Sequence, residues 1–235
     1  MTVQTNNIEW FRELLDRSRR VEPRDPAPIL GWLEERRAAI EFKADLIALS
    51  ELRSWHTELE TGDIHHESGA FFSIRGVRIT ASKGLREVDS WDQPIFTQKE
   101  GGILALIAKT DGSNVLFLLN AKAEPGNLNT LQLCPTLQAT WSNLNQAHKG
   151  RRPPFADVIM GEAPAKLVYE ASHNEEGGRF WMKANRNQIW LVDPRQAPVN
   201  YDPNKFTWAS LSQLKELALA DNVLSPFVKT VIAPL

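Results

Sequence analysis

The segment that most constrains the fold is Val115–Ala121, because it is apolar on both faces of a strand. A strand with one solvent-exposed face alternates apolar and polar residues, whereas a strand that is apolar throughout is buried on both faces. We therefore place Val115–Ala121 in the interior of a sheet. At its end, Asn120, Lys122 and Glu124 share one side by the two-residue period. Pro125-Gly126-Asn127 then ends the strand.

These polar residues at the strand end allow two interpretations. Buried amides and charges cost free energy unless they find partners, so a dense polar cluster indicates a site for a polar ligand. The alternative is a turn whose polar side chains satisfy local backbone groups. For any single residue both interpretations stay open, and for the cluster as a whole we favour the site.

The composition is that of an ordinary globular protein. Of the 235 residues, 42% are hydrophobic and 24% charged, and the net charge of −2 gives no sign of binding to nucleic acid or to a membrane. No apolar run reaches the roughly 20 residues that span a bilayer, and the first residues lack the pattern of a signal peptide. The single cysteine, Cys134, fits a buried thiol better than a nucleophile. We expect a cytoplasmic protein.

The chain divides into an N-terminal helical arm over residues 1–50 and a β-rich domain over residues 51–235. In the arm, a first helix carries a stripe of Ile8, Phe11, Leu14 and Leu15, and a second begins near Pro28 with Ile29, Leu33 and Ile40 on one side. Further strands are expected in five segments: Phe71–Thr80, Ile103–Lys109, Leu131–Cys134, Val168–Glu170 and Gln188–Val192. A last helix is expected after Ser210.

A further helix is expected to begin at Pro135, where a missing N–H does no harm. Its polar row would hold Thr136, Thr140 and Asn143, opposite an apolar row that includes Leu137.

The motifs of several enzyme classes are absent from the sequence. There is no glycine-rich phosphate loop, no HExxH and no GxSxG. Arg86-Glu87 is similar to the core of a Nudix box, but Arg78 and Phe72 occupy the positions of its required Glu and Gly. His65-His66-Glu67 has no third ligand at a familiar spacing and is expected in a polar loop. We therefore expect no metal site and no metal-dependent pyrophosphohydrolase.

Several segments resemble the NDP-hexose 2,3-dehydratases of deoxysugar biosynthesis, from about residue 30 onward. The most specific are Lys122-Ala123-Glu124-Pro125-Gly126-Asn127 and the run from Gln132 through Pro135-Thr136 to Gln138-Ala139-Thr140. The other matching segments are Ser68–Ser73, Trp91–Ile95 with Gln98, Gly102–Leu104, Ser142-Asn143, Gly177–Phe180, Leu211–Leu217 and Asp221-Asn222.

The resemblance implies an α+β fold with a Nudix-like mixed β-sheet sandwiched by helices. It also implies a dTDP-4-keto-6-deoxyhexose substrate, a 3,4-diketo product and a place in natural product biosynthesis. Members of the family usually hold two tandem copies of this unit, of which one is thought to be catalytic, and this chain matches one copy. A homodimer would restore the pair. Two positions depart from the family: Trp141 stands where Arg is expected, and Asn187 where an aromatic residue is expected.

The implied elimination needs acid–base groups and neither a metal nor a redox cofactor. A base removes the C3 proton, a donor stabilises the C4 oxygen, and another donor assists the leaving C2 hydroxyl. Glu124 and Lys122 could supply opposite roles from one strand edge. His148 is the alternative base, although a capping or core histidine is the more common use of such a residue.

Further residues are candidates for binding the substrate. Trp91 could stack on the thymine or fill the core, and each of three arginines could hold the diphosphate or lie solvated at the surface. The full set of candidates is Arg75, Trp91, Gln93, Gln98, Asn127, Gln132, Thr136, Gln138, Asn143, Arg152 and Arg179. A rival hypothesis is a non-catalytic sugar-nucleotide-binding unit, or the partner of a separate second half.

Overall fold

The computed structural model describes residues 5–98, 100–110, 112–145, 151–195 and 199–235. Within those ranges the chain forms two compact units. The larger unit draws on residues up to 44, 102–172 and 186–235, and the smaller unit on residues 45–101 and 173–185. The predicted boundary at residue 50 stays a prediction. None of the described helices is long and apolar enough to cross a bilayer.

The smaller unit is built on a four-stranded antiparallel sheet. In order across the sheet, its strands are β1 (Trp55–Thr57), β2 (Ile64–His66), β3 (Ser73–Thr80) and β4 (Ser90–Thr97). His65 and His66 lie in β2, so the polar loop expected there is wrong. The backbone of this segment pairs with both β1 and β3, and the His66 and Trp55 rings pack at a steep angle with their centroids 5.5 Å apart.

The larger unit is built on a mixed seven-stranded sheet. Its strands are β5 (Gly102–Thr110), β6 (Val115–Ala123), β7 (Leu131–Pro135), β8 (Leu137–Thr140), β9 (Lys166–Asn174), β10 (Ala184–Val192) and β11 (Phe206–Ser210). The order is β11-β6-β5-β10-β9, with β7 paired to β6 and β8 paired to β5. β10 runs parallel to β5, whereas β11 and β5 flank β6 in antiparallel pairing. The predicted interior position of β6 is confirmed.

Helices cover both faces of this sheet. They are α1 (Thr5–Ser18), α2 (Ala27–Ala39), α3 (Trp141–Leu144), α4 (Ala156–Ile159), α5 (Leu211–Leu217) and α6 (Pro226–Ile232). Leu106 and Phe117 face a core shared with α1, α2, α5 and α6, while Ile107 and Leu118 face a second core shared with α3 and α4. The alternation places neighbouring residues on opposite faces. The expected α+β class, with a mixed sheet between helices, is confirmed.

The N-terminal helices pack on the first of these cores. Phe11, Leu14 and Leu15 are buried, and the Phe11 ring meets the Phe117 ring edge-on at 6.3 Å. In α2, Ile29 and Leu33 are buried, as the apolar spacing predicts. Ile40 is exposed and follows the last turn of α2, so its expected place on the packed side is wrong.

The helix expected to begin at Pro135 is wrong, because this segment forms the end of β7 and the whole of β8 instead. β5 and β6 pair directly from Ile107↔Leu118 to Thr110↔Val115 and then diverge. Beyond this point, which we call the fork, β7 pairs with β6 and β8 pairs with β5. Thr136 lies at the apex with 2% of its surface exposed. Its hydroxyl donates to the Leu118 carbonyl and accepts from the Ile107 N–H at 2.9 Å. Leu137 and Ala139 alternate toward the second core, which a strand achieves and a helix does not.

Candidate functional site

An ion pair stands at the end of β6, where the sequence places the polar cluster. Lys122 Nζ lies 2.6 Å from Glu124 Oε1, and the side chains are 35% and 38% exposed. Lys122 lies opposite Gln132 in the pairing of β6 with β7. The sheet therefore brings Lys122, Glu124 and Gln132 to one strand end, where a ligand can reach both charges.

Asn127 holds the turn that carries Glu124. Its Nδ2 donates to the Lys122 carbonyl at 3.3 Å and to the Thr130 carbonyl at 3.0 Å. Its backbone N–H donates to the Glu124 carbonyl at 3.0 Å. These bonds fix the backbone after β6, which a base needs if its carboxylate is to stay in position.

The remaining candidates of the larger unit are more dispersed. The Gln138 Oε1 atom is buried and has no hydrogen-bond partner among the described residues. Asn143 is exposed, and its backbone N–H donates to the Thr140 hydroxyl at 3.3 Å as part of the cap of α3. His148 lies outside the described residues. The roles of these side chains toward a ligand stay predictions.

Cys134 lies opposite Asn120 where β7 pairs with β6, and it is buried. Burial raises the pKa of the Cys134 thiol, while a hydrogen bond with Ser225 and the charge of Lys122 act in the opposite direction. A neutral buried thiol is a weak nucleophile, which fits the structural role expected from the sequence.

Each of the three arginines proposed for the diphosphate pairs with a carboxylate. Arg75 Nε lies 2.9 Å from Asp63, and Arg179 Nε lies 3.0 Å from Glu176. Arg152 makes two bonds to Glu162, at 2.6 and 2.7 Å, and this contact raises the pKa of Arg152 and lowers that of Glu162. A phosphate would have to compete with these carboxylates.

The other three candidates, Trp91, Gln93 and Gln98, lie in the smaller unit and form hydrogen bonds with neighbouring residues. Trp91 Nε1 donates to Gln93 Oε1 at 2.9 Å. Gln93 Nε2 donates in turn to the Gly178 carbonyl at 2.7 Å. Gln98 accepts a bond from Lys183 Nζ at 2.7 Å. Trp91 and Gln93 also line a cavity of about 540 Å³ within this unit.

Two groups of residues were not identified as site candidates from the sequence. Arg86 and Lys183 line the cavity beside Trp91. The sequence singled out Arg86 only as part of an incomplete Nudix box, and it gives no signal for Lys183 beyond its charge. In the larger unit, Trp190 Nε1 donates to Gln188 Oε1 at 2.9 Å, and Gln188 Nε2 donates to Glu170 at 2.5 Å. The two-residue spacing of Gln188 and Trp190 was a signal that they share one face of a strand.

The arrangement at the end of β6 offers a carboxylate that can take a proton and an ammonium that can stabilise a developing oxyanion. Among the described residues, no group of three His, Cys, Asp or Glu side chains is placed to hold a metal ion.

Comparisons with known proteins point to one family. A family model described as NDP-hexose 2,3-dehydratase matches residues 26–235. Two curated relatives are named dTDP-4-dehydro-6-deoxy-alpha-D-glucopyranose 2,3-dehydratase. The protein from Saccharopolyspora spinosa is 35% identical over 202 residues, which cover 86% of this chain and 40% of that protein. The protein from Streptomyces violaceoruber is 37% identical over 214 residues, which cover 90% of this chain and 46% of that protein.

The chain thus spans less than half the length of these curated relatives. Among solved structures, a Nudix hydrolase from M. smegmatis is similar with 14% sequence identity and a TM-score of 0.34. That similarity covers 68% of this chain and 97% of the hydrolase.

Proposed function

Because the chain belongs to the NDP-hexose 2,3-dehydratase family, we propose that it removes the C2 hydroxyl of a dTDP-4-keto-6-deoxyhexose as water. The names of the curated relatives supply the substrate class. The observation that supports the proposal most is the Lys122–Glu124 pair at the end of β6, within reach of solvent. We also expect a cytoplasmic location.

The proposed reaction balances without an oxidant or a reductant. A base takes the C3 proton, which the C4 ketone acidifies, and the electron pair forms an enolate across C3 and C4. The enolate then expels the C2 hydroxyl, which takes a proton back from the protonated base and leaves as water. The resulting C2–C3 enol becomes the 3-ketone by tautomerisation, which gives the 3,4-diketo sugar.

We assign each step to a group at the end of β6. Glu124 is the proposed base. Lys122 is the proposed donor to the C4 oxygen, because an ammonium stabilises an enolate more than the neutral ketone and so lowers the barrier. Gln132, opposite Lys122, is the proposed contact to a sugar hydroxyl. The bonds of Asn127 to the turn keep the carboxylate in place.

Glu124→Gln tests the base directly. It keeps the size and hydrogen bonding of the side chain and removes its basicity, so we expect turnover to fall about 10²–10⁴-fold. Exchange of the C3 proton with solvent deuterium should fall in parallel, while binding of the nucleotide should change little. Glu34→Gln is the matched control, because Glu34 forms an ion pair of the same 2.6 Å length with Arg37 on α2. Undiminished exchange of the C3 proton in Glu124→Gln would show that another residue is the base.

The length of the relatives favours one alternative. Since the aligned segment covers 40–46% of their chains, this unit could bind a sugar nucleotide without catalysis or act with a separate second half. Incubation of the pure protein with the 4-keto-6-deoxy sugar nucleotide separates the two hypotheses. Loss of water, detected by mass spectrometry, supports catalysis. Binding without loss of water supports the alternative.

A further inference from the structure

Two histidines of the smaller unit lie directly opposite each other on neighbouring strands. His56 of β1 pairs with His65 of β2 in the antiparallel register, so both side chains leave the same face of the sheet. Side chains at such positions have Cβ atoms about 4.5–5.5 Å apart. The pairing of the two strands therefore brings two imidazole rings together on one surface.

The two rings are close enough to share one metal ion. The centroids of the His56 and His65 rings are 6.3 Å apart, and the ring planes are inclined by 53°. An imidazole nitrogen binds zinc at about 2.0–2.1 Å, so two rings on one ion have centroids up to roughly 6.4 Å apart. Rotation of the side chains about their own bonds then suffices to direct one nitrogen of each ring at a shared ion.

The histidine pair is open to solvent, unlike the histidine next to it in sequence. The His56 side chain is 58% exposed, and His65 is partly exposed. His66 leaves the opposite face of β2, where its ring packs against those of Trp55 and Phe71. An ion can therefore reach His56 and His65 from solvent, whereas His66 points away from it.

The charges beside the pair favour a cation. Glu67 follows β2 on the same side as His65, and its backbone N–H continues the pairing of the two strands by one residue. Its Oε2 atom lies 3.7 Å from His56 Nε2. The other charges on this side, those of Asp63 and Arg75, compensate each other across 2.9 Å. Glu67 is thus the charged group nearest to the two imidazoles, and its sign attracts a metal ion.

We propose that His56 and His65 together bind one divalent transition-metal ion, of the class of Zn²⁺, Ni²⁺ and Cu²⁺. Imidazole suits these ions, whereas Mg²⁺ and Ca²⁺ prefer oxygen ligands. The ion has two protein ligands, because no three His, Cys, Asp or Glu side chains of the described residues surround one ion. Water fills its remaining positions, so the ion is held less tightly than in a structural zinc site with four protein ligands.

The pair revises the expectation of no metal site in this part of the chain. That expectation was based on residues 65–67 as neighbours in sequence, whereas His56 joins His65 only through the pairing of β1 with β2. The site takes no part in the proposed elimination, which needs acid–base groups alone.

Titration calorimetry of the tag-free protein with Ni²⁺ tests the site, and one ion should bind per chain. His56→Asn and His65→Asn each remove one ligand and keep a polar side chain. Each should weaken binding at least about ten-fold, since loss of a residue that merely supports a metal ligand already costs about 10–100-fold. The Cu²⁺ complex gives a second measurement. Its electron paramagnetic resonance spectrum should show couplings to two imidazole nitrogens in the wild type and to one in either variant.

Two other histidines supply the matched controls. His66→Asn changes the residue next to His65 on the opposite face of the same strand, and His173→Asn changes a histidine of β9. Both variants should bind Ni²⁺ as the wild type does. Mg²⁺ in place of Ni²⁺ should give no saturable binding, because two imidazoles are poor ligands for it.

Three results would overturn the inference. The first is no saturable binding of Ni²⁺ by the wild type. The second is equal affinity in the wild type, His56→Asn and His65→Asn, or an equal loss in His66→Asn. The third is one ion for every two chains, because the ion would then be shared between chains rather than held by one pair. Since none of these measurements uses turnover, their failure leaves the proposed function untouched.

Discussion

Thr136→Val should destabilise the larger unit strongly, although valine has almost the shape of threonine. The Thr136 hydroxyl satisfies two buried backbone groups, the Leu118 carbonyl and the Ile107 N–H, at the point where β5 and β6 part. A buried polar group left without a partner costs about 1–3 kcal/mol. Two such groups, less the desolvation of the deleted hydroxyl, give an expected loss of about 2–4 kcal/mol.

Thr136→Ser is the control, because it keeps the hydroxyl and loses one methyl group, worth about 1 kcal/mol. For a chain of this size a loss of 1 kcal/mol lowers the melting temperature by about 2–4 °C. The valine variant should therefore melt roughly 4–16 °C below the wild type, and the serine variant only a few degrees below it. Scanning calorimetry of the three proteins measures both shifts.

A valine variant as stable as the wild type, or less affected than the serine variant, would refute this account of the fork. The sequence suggested instead that Thr136 contacts the substrate. If that is its main role, Thr136→Val should lower turnover well below the melting temperature while the melting temperature itself stays unchanged.

Five further outcomes are expected. Lys122→Met should lower turnover through the lost donor to the enolate oxygen, which kcat and C3 exchange measure together. Cys134 should react slowly with iodoacetamide until urea unfolds the chain. Since burial raises the pKa of this thiol, its contribution to stability should be lost as the pH rises from about 8.5, the ordinary thiol pKa, through the higher folded value, and unfolding titrations would show the fall. Turnover should survive EDTA without added nicotinamide, and dependence on magnesium would contradict the proposed chemistry. Sedimentation at micromolar concentration should show a homodimer if two copies of this unit act together, and a monomer would contradict the pairing.

Sequence reasoning predicts the larger unit well where a segment fits the residue spacing of a strand or of a helix but not both. Val115–Ala121 is apolar on both faces and lies inside the sheet, and Ser210 caps α5 with a full capping box to Gln213. Residues 135–140 satisfy both a helical and a strand spacing. Their strand state depends on pairing with β5 and β6, which are distant in the sequence, so local reasoning chose the wrong period.

Strand β4 shows another limit of local signals. Pro94 argues against a strand, because it lacks the N–H that a ladder uses. In the structure Pro94 lies opposite Gly76, at the last strand of the smaller sheet, where its ring meets no side chain from the partner position. Local clustering in the sequence predicts Lys122 and Glu124 as site residues, whereas Arg86 and Lys183 come to line one cavity with Trp91 only through the fold.

The route of the chain through the larger unit has a consequence for its synthesis. Arg12 of α1 donates to the Pro234 carbonyl at 2.6 Å, across 222 positions of sequence. At about 5–20 residues per second, a ribosome needs roughly 10–45 s to make the stretch between them. During that time Phe11 and Leu15 have been made, but parts of the core that bury them have not. The first helix of this chain is thus among the last elements to be fully packed.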